Sequence, residues 1–442
     1  MARPTDPQPA AVPATATQAG SIRARWSWVE PTVWTERMLT ALEQGVKGGV
    51  WFSLIDKVFA LPTLKAAWAK VQANQGAAGI DGESVAMFAR QADKHLRQLH
   101  EELRQGTYEP QPVRRAWIDK PGSTEQRPLG IPAVRDRVVQ TALRWTLEPI
   151  WEAQFALQSY GFRPGRGCKD ALRRVEELLR AGATWVVDAD LKGYFDSIPH
   201  DQLLAEVKRK VADGRVLALL EAYLHAKVMD GLQEWEPDRG SPQGAVISPL
   251  LANLYLDELD HHMAAAGYQM IRYADDFIIL CRSQAEAERA LEQVRQWVEG
   301  RGLTLHPTKT RLVDASQKGG FDFLGYHFER GLHWPRRKSL DKLKDNVRTK
   351  TPRTSGDALE DIIQRLNRTL HGWFQFFKHS HWTTFEPLDG WIRMRLRSIL
   401  RKRAGRQGRG RGLDHQHWPN AYFAGLGLFS LRTAHAAARQ SL

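Results

Sequence analysis

Three aspartates are the residues whose type and spacing point most directly to chemistry. Asp190 ends the apolar run TWVVDAD (184–190), and Asp275 and Asp276 are adjacent within MIRYADDFIILC (270–281). An Asp-Asp pair alone is ordinary turn chemistry. Brought within ~4 Å of one another, however, carboxylates repel by roughly 4 kcal/mol per pair at an effective dielectric of 20. Either protonation or a bound cation must relieve that repulsion. Oxygen-only ligands favour a hard ion such as Mg²⁺, which keeps waters and binds phosphates. Two such ions can activate a 3′-hydroxyl and stabilise a leaving pyrophosphate.

Everything then depends on whether the surrounding elements bring the aspartates together. TWVVDAD reads as a buried strand. Helical patterns follow over 201–212, 216–229 and 249–264. MIRYADDFIILC reads as two short apolar strands around an acidic turn. Ser283 and Glu286 form a capping-box pair that opens a helix to about residue 299, stopped by Gly300 and Gly302. LTLHPTKTRLV (303–313) returns as a strand region. Strand, helices, hairpinned strands, helix and strand make a β-α-β-β-α-β unit. Its first and third strands are central and antiparallel, so Asp190 should meet the turn bearing Asp275 and Asp276.

Upstream, residues 35–105 read as helices broken by the Gly-rich NQGAAGIDGES (74–84). That loop lacks the Lys-Ser/Thr ending and preceding strand of a phosphate-cradling loop. AWIDKPGSTEQRPLGIP (116–132) reads as a hairpin with a Pro-Gly turn. The first twenty residues are rich in Pro, Ala and Thr, and a disordered tail is expected to about residue 30.

The 442 residues are 42% hydrophobic and 26% charged, the composition of a globular protein. No apolar run approaches the ~20 residues of a membrane-spanning helix. Cys168 and Cys281 are the only cysteines, which excludes a disulfide framework and a four-cysteine zinc site; a cytoplasmic protein is expected. The net charge of +13 is uneven: residues 331–412 hold 20 Lys and Arg against 7 Asp and Glu, so the other 360 residues sum to zero. Trp334, Trp373, Phe374, Phe376, Phe377, Trp382 and Trp391 interleave with this basic stretch. The mixture suits phosphate neutralisation and base stacking. Arg393, Arg397 and Arg401 share one face at helical spacing and are expected to contact phosphates.

Five ordered segments resemble reverse transcriptases of the group II intron maturase family: RPLGIPAVRDRVVQ (127–140), SYGFRPGRG (159–167), VVDADLKGYFDSIPH (186–200), SPQGAVISPLLANLYLDELD (241–260) and YADD (273–276). GFDFLGYHF (320–328) closes the series, and LNRTLHGWFQFFKH (366–379) and YFAGLGLFSL (422–431) are similar to the thumb and maturase regions. The likeness extends over 61–442. It implies an α+β right-hand polymerase with fingers at 31–182, a ferredoxin-like palm at 183–328, a helical thumb at 329–378 and a small basic helical maturase domain at 379–442. The implied activity is RNA-directed DNA polymerisation with two Mg²⁺ ions, a DNA primer and deoxynucleoside triphosphates. Intron RNA is the implied template and splicing partner.

Residue by residue, the resemblance makes Asp190 and Asp275 metal ligands and gives Asp276 a supporting place in the metal site. Phe195 matches the ring that crowds a ribose 2′-OH, and Gln243 the residue beside the incoming base pair. Lys120 and Arg127 lie in the hairpin that grips the triphosphate, and Lys309 is a candidate proton donor to pyrophosphate. Asn253 resembles a site residue, with helix capping the alternative. The intact SPQG argues against diversity-generating relatives. The chain carries no Cys-rich endonuclease module, so second-strand cleavage is not expected of it. A splicing factor without catalysis would gain nothing from the acidic set, and Phe195 speaks against an RNA-copying RNA polymerase.

Overall fold

The computed structural model describes residues 21–119, 126–408, 410 and 412–440. The strands are β1 (Val113–Asp119), β2 (Gln126–Ile131), β3 (Trp185–Asp190), β4 (Val228–Asp230), β5 (Gln233–Trp235), β6 (Gln269–Tyr273), β7 (Asp276–Cys281) and β8 (Arg311–Asp314), followed by β9 (Phe321–Phe323), β10 (Tyr326–Glu329) and β11 (Leu332–Pro335). The chain divides into two compact units, Met1–Arg174 with Val187–Leu312, and Val175–Val186 with Val313–Leu442.

β6, β7, β3 and β8 form one sheet in that order, so the first and third strands of the β-α-β-β-α-β unit are central. This is the ferredoxin-like palm. The alternation of apolar residues explains the pairing: Val186, Val187 and Ala189 of β3 and Phe277–Leu280 of β7 are buried. Ser283 caps the helix Gln284–Gly300 by accepting from Glu286 N at 3.3 Å. Glu286 returns not to Ser283 but to Arg282 N, 2.8 Å away, which ties the end of β7 to the helix.

A second sheet, in the order β2-β1-β4-β5, builds the fingers. β1 and β2 form the expected hairpin, with Arg114 opposite Ile131 and Asp119 opposite Gln126; its turn, including Lys120, lies outside the described residues. Met229 was expected to end a helix but belongs to β4. The helix Gly214–Leu224 stops at His225, and Val113 N donates to Lys227 O at 2.7 Å, drawing the next residues onto the edge of β1. Residues 21–30, expected within the tail, hold a short helix Ile22–Arg25 capped by Ser21, with Val29 buried. An apolar side chain that finds a core orders the backbone around it.

The second unit carries the remaining strands. β9–β11 form their own three-stranded sheet within this unit, with Phe321 and Phe328 stacked at 5.1 Å. The helices Arg337–Lys350, Leu359–Phe377, Phe385–Arg403 and Leu431–Gln440 share one core that includes Leu343, Leu366, Leu396, Phe423 and Leu431. Thumb and basic C-terminal segment are therefore one hydrophobic body. Among the described residues no helix is long and apolar enough to cross a membrane.

Candidate active site

The palm topology brings Asp190 and Asp275 together. β6 and β7 are joined by a two-residue turn, Ala274-Asp275, with Tyr273 opposite Asp276. Ala274 has φ +60°, the left-handed backbone that hairpin turns of the II′ type need at their first central position. Burial pushes the Asp275 carboxyl above the usual carboxylate range and the charge of Asp190 adds to it, while Arg127 and Arg272 pull it back. Lys309 Nζ lies 2.8 Å from Asp190 Oδ2. Downstream of the helix Gln284–Gly300, the chain meets the end of β3, where His306 N donates to Asp190 O at 2.7 Å.

Asp276 is exposed and opens β7. Among the described residues no group of three His, Cys, Asp or Glu side chains is placed to hold an ion. The Asp190–Asp275 pair still fits a divalent cation: its donors are hard oxygens, its mutual repulsion favours positive charge, and an ammonium already sits on Asp190.

The other candidates are near the pair to different degrees. Arg127 is close enough for its charge to act on Asp275. Gln243 O accepts from Gly130 N of β2 at 2.7 Å, which joins SPQG to the fingers hairpin. Gln140, at the end of the first family segment, accepts from Val246 N at 2.8 Å on the other side of the same loop. Phe195 is 8% exposed on the short helix Tyr194–Ser197, and its carbonyl accepts from Ser241 N at 2.7 Å. Gly240 makes that approach possible: a Cβ there would lie 2.8 Å from Asp196 Cα. Lys120 is not among the described residues.

Asn253 lies inside the helix Ser248–Ala265 rather than at its cap. It is buried, donates to Gly161 O at 2.7 Å and accepts from Arg272 Nη1 at 2.9 Å. Arg272 and Asp260, which sequence reasoning passed over, form a fully buried ion pair beneath the turn. The signal was present: an arginine inside an otherwise apolar buried strand requires a partner.

Residues 118–328 match the reverse transcriptase (RNA-dependent DNA polymerase) family, and residues 340–418 the maturase-specific domain of group II introns. The chain is 32% identical to protein YkfC of Escherichia coli, over 70% of this chain and 86% of that one. It is 39% identical to the group II intron-encoded protein LtrA of Lactococcus lactis over 44% of this chain and 32% of LtrA. Among solved structures it is similar to a partial Cas6-RT-Cas1–Cas2 complex, at 27% identity and a TM-score of 0.37, over 56% of this chain and 41% of that one. With its reverse transcriptase and maturase regions in order along one chain, the protein belongs to the group II intron-encoded reverse transcriptase and maturase family.

Proposed function

We propose that Asp190 and Asp275 hold the catalytic metal of this RNA-directed DNA polymerase as two Mg²⁺ ions, with Asp276 in support. The observation that carries this reading is the convergence of the two carboxylates, 85 residues apart in sequence, where β3 meets the β6–β7 turn. When bound, such ions would activate the primer 3′-hydroxyl and stabilise the leaving pyrophosphate.

The chain's own residues do the rest. Arg127, with Lys120, neutralises the triphosphate of the incoming deoxynucleotide. Gln243, held by its backbone to Gly130, orients the templating base pair. Phe195 occupies the space a ribose 2′-OH would need. Lys309 releases Asp190 and donates a proton to the departing pyrophosphate. The template is RNA and the primer DNA; intron RNA is the partner whose splicing and mobility the protein serves, bound through the basic second unit.

Asp275→Asn tests the assignment in a primer-extension assay on an RNA template with Mg²⁺. Extension should fall by on the order of 10³ or more, with RNA affinity kept within about a few fold. Near-normal extension would overturn it.

A further inference from the structure

The turn bearing Asp275 is held by Arg272 of its own strand β6 and by Gly161 outside the hairpin. Ala274 adopts a backbone conformation that L-residues resist, so its surroundings must impose it. Two neighbours do so. Arg272 Nη1 donates to Ala274 O at 2.9 Å. Gly161 presses its backbone against the turn so closely that a Cβ there would lie 2.3 Å from Ala274 N. Both lead to one buried cluster. Arg272 Nε donates to Asp260 Oδ1 at 2.9 Å and Arg272 Nη1 to Asn253 Oδ1 at 2.9 Å, while Asn253 Nδ2 donates to Gly161 O at 2.7 Å. Asp260 and Asn253 are both on the helix Ser248–Ala265, which begins shortly after SPQG (241–244).

We infer that Asp260, Arg272 and Asn253 are positioning residues that fix the Asp275 turn against the helix Ser248–Ala265 and thereby set metal affinity and catalytic rate. The inference rests on Asp275 being a metal ligand. A buried ion pair is a poor source of stability, because apolar side chains of similar volume replace such pairs at little cost. Its value here is geometric. The guanidinium is a planar fork that reaches a carboxylate, a carboxamide and the turn carbonyl at once, which a lysine cannot do. Since carboxylates must be placed closely for in-line transfer, a displacement of about 1 Å costs on the order of 10²-fold in rate.

The test compares Arg272→Met/Asp260→Leu, Arg272→Lys and Asn253→Ala with the unaltered chain. Thermal melting, Mn²⁺ binding by electron paramagnetic resonance, and kcat and KM for extension are measured on each. The double variant should melt within a few degrees of the unaltered chain, bind Mn²⁺ about 10-fold more weakly and lose about 10–100-fold in kcat, with nucleotide KM changed less than about threefold. Arg272→Lys and Asn253→Ala should show the same weakened Mn²⁺ binding to a smaller extent. Should the double variant not fold, these two decide. Mn²⁺ binding is referred to folded protein, so instability alone would not move it. Unaltered Mn²⁺ binding and kcat in the folded variants, with Asp275→Asn inactive, overturns this inference alone. Unaltered Mn²⁺ binding and extension in Asp275→Asn overturns the site assignment beneath it.

Discussion

Lys309 Nζ lies 2.8 Å from Asp190 Oδ2, so the carboxylate proposed to hold a metal ion is paired with an ammonium. Both side chains are partly solvated, at 59% and 35% exposure, and such a pair is worth less than about 1 kcal/mol. The lysine is therefore a weak competitor that a divalent ion displaces. Lys309→Met should lower the Mn²⁺ concentration for half-maximal extension by about two- to fivefold, matching that energy. At saturating metal it should also slow extension about 10-fold or more, through loss of the proton donor. A metal titration of the rate checks both; a variant as fast as the unaltered chain would remove the proton-donor role.

Phe195 is nearly buried yet adjoins the loop that carries Gln243. A core ring and a steric gate make different predictions. Phe195→Val should raise the ratio of ribonucleotide to deoxynucleotide kcat/KM by about 10–100-fold, equivalent to roughly 1–3 kcal/mol of exclusion. That ratio does not depend on how much enzyme is folded. If it stays constant while the melting temperature drops, the ring is packing only.

How much of this was legible in the sequence depends on whether the partners are close along the chain or set by a period. The palm strand order followed from periodicity and from the order of elements, and with it the meeting of Asp190 and Asp275. Arg272 is different: its partners Asp260 and Asn253 lie 12 and 19 residues upstream on a helix. Nothing local announces that they face the strand. Helical spacing likewise groups Arg393, Arg397 and Arg401 but cannot say what covers that face.

The cover matters for RNA binding. Arg397 is buried, donates to Trp418 O and Asn420 Oδ1, and lies over the Phe423 ring; Arg401 pairs with buried Asp414. These two arginines hold the second unit together, contrary to the expectation that they contact phosphates. Neutralising Arg397 removes both hydrogen bonds and its packing over Phe423 and should cost about 1–3 kcal/mol of stability. Lys338 and Lys342, exposed four residues apart on the helix Arg337–Lys350, are better placed to neutralise phosphates. Changing both to Gln should lower the slope of log affinity against log salt by roughly 0.7–0.9 for each phosphate no longer neutralised, with melting unchanged. Filter binding of RNA across a salt series checks this, and an unchanged slope would place the phosphates elsewhere.

The fingers carry a titratable network whose effect on stability has a definite sign. Tyr108 Oη donates to Asp136 Oδ1 at 2.6 Å and lies 2.7 Å from Tyr223 Oη, while Gln111 N donates to Asp136 Oδ2 at 3.0 Å. Burial pushes the Asp136 carboxyl up to about 6, even though the Tyr108 and Gln111 hydrogen bonds and Arg135 oppose the shift. Its pKa when unfolded is about 3.9. A folded-state pKa raised above the unfolded one gives stability that is complete below about pH 4 and lost as pH rises through about 6. The loss amounts to about 2–3 kcal/mol by pH 7.5. Asp136→Asn cannot titrate. Its amide mimics the protonated carboxyl, with Nδ2 donating to Tyr108 Oη and Oδ1 accepting from Gln111 N, so it keeps its acid-side stability as pH rises. Urea unfolding at pH 4.5 and 7.5 should therefore show the unaltered chain losing stability relative to Asp136→Asn as pH rises. A difference that is constant, or that moves the other way with pH, would mean that Asp136 is ionised in the folded protein throughout and that the two hydrogen bonds outweigh its burial.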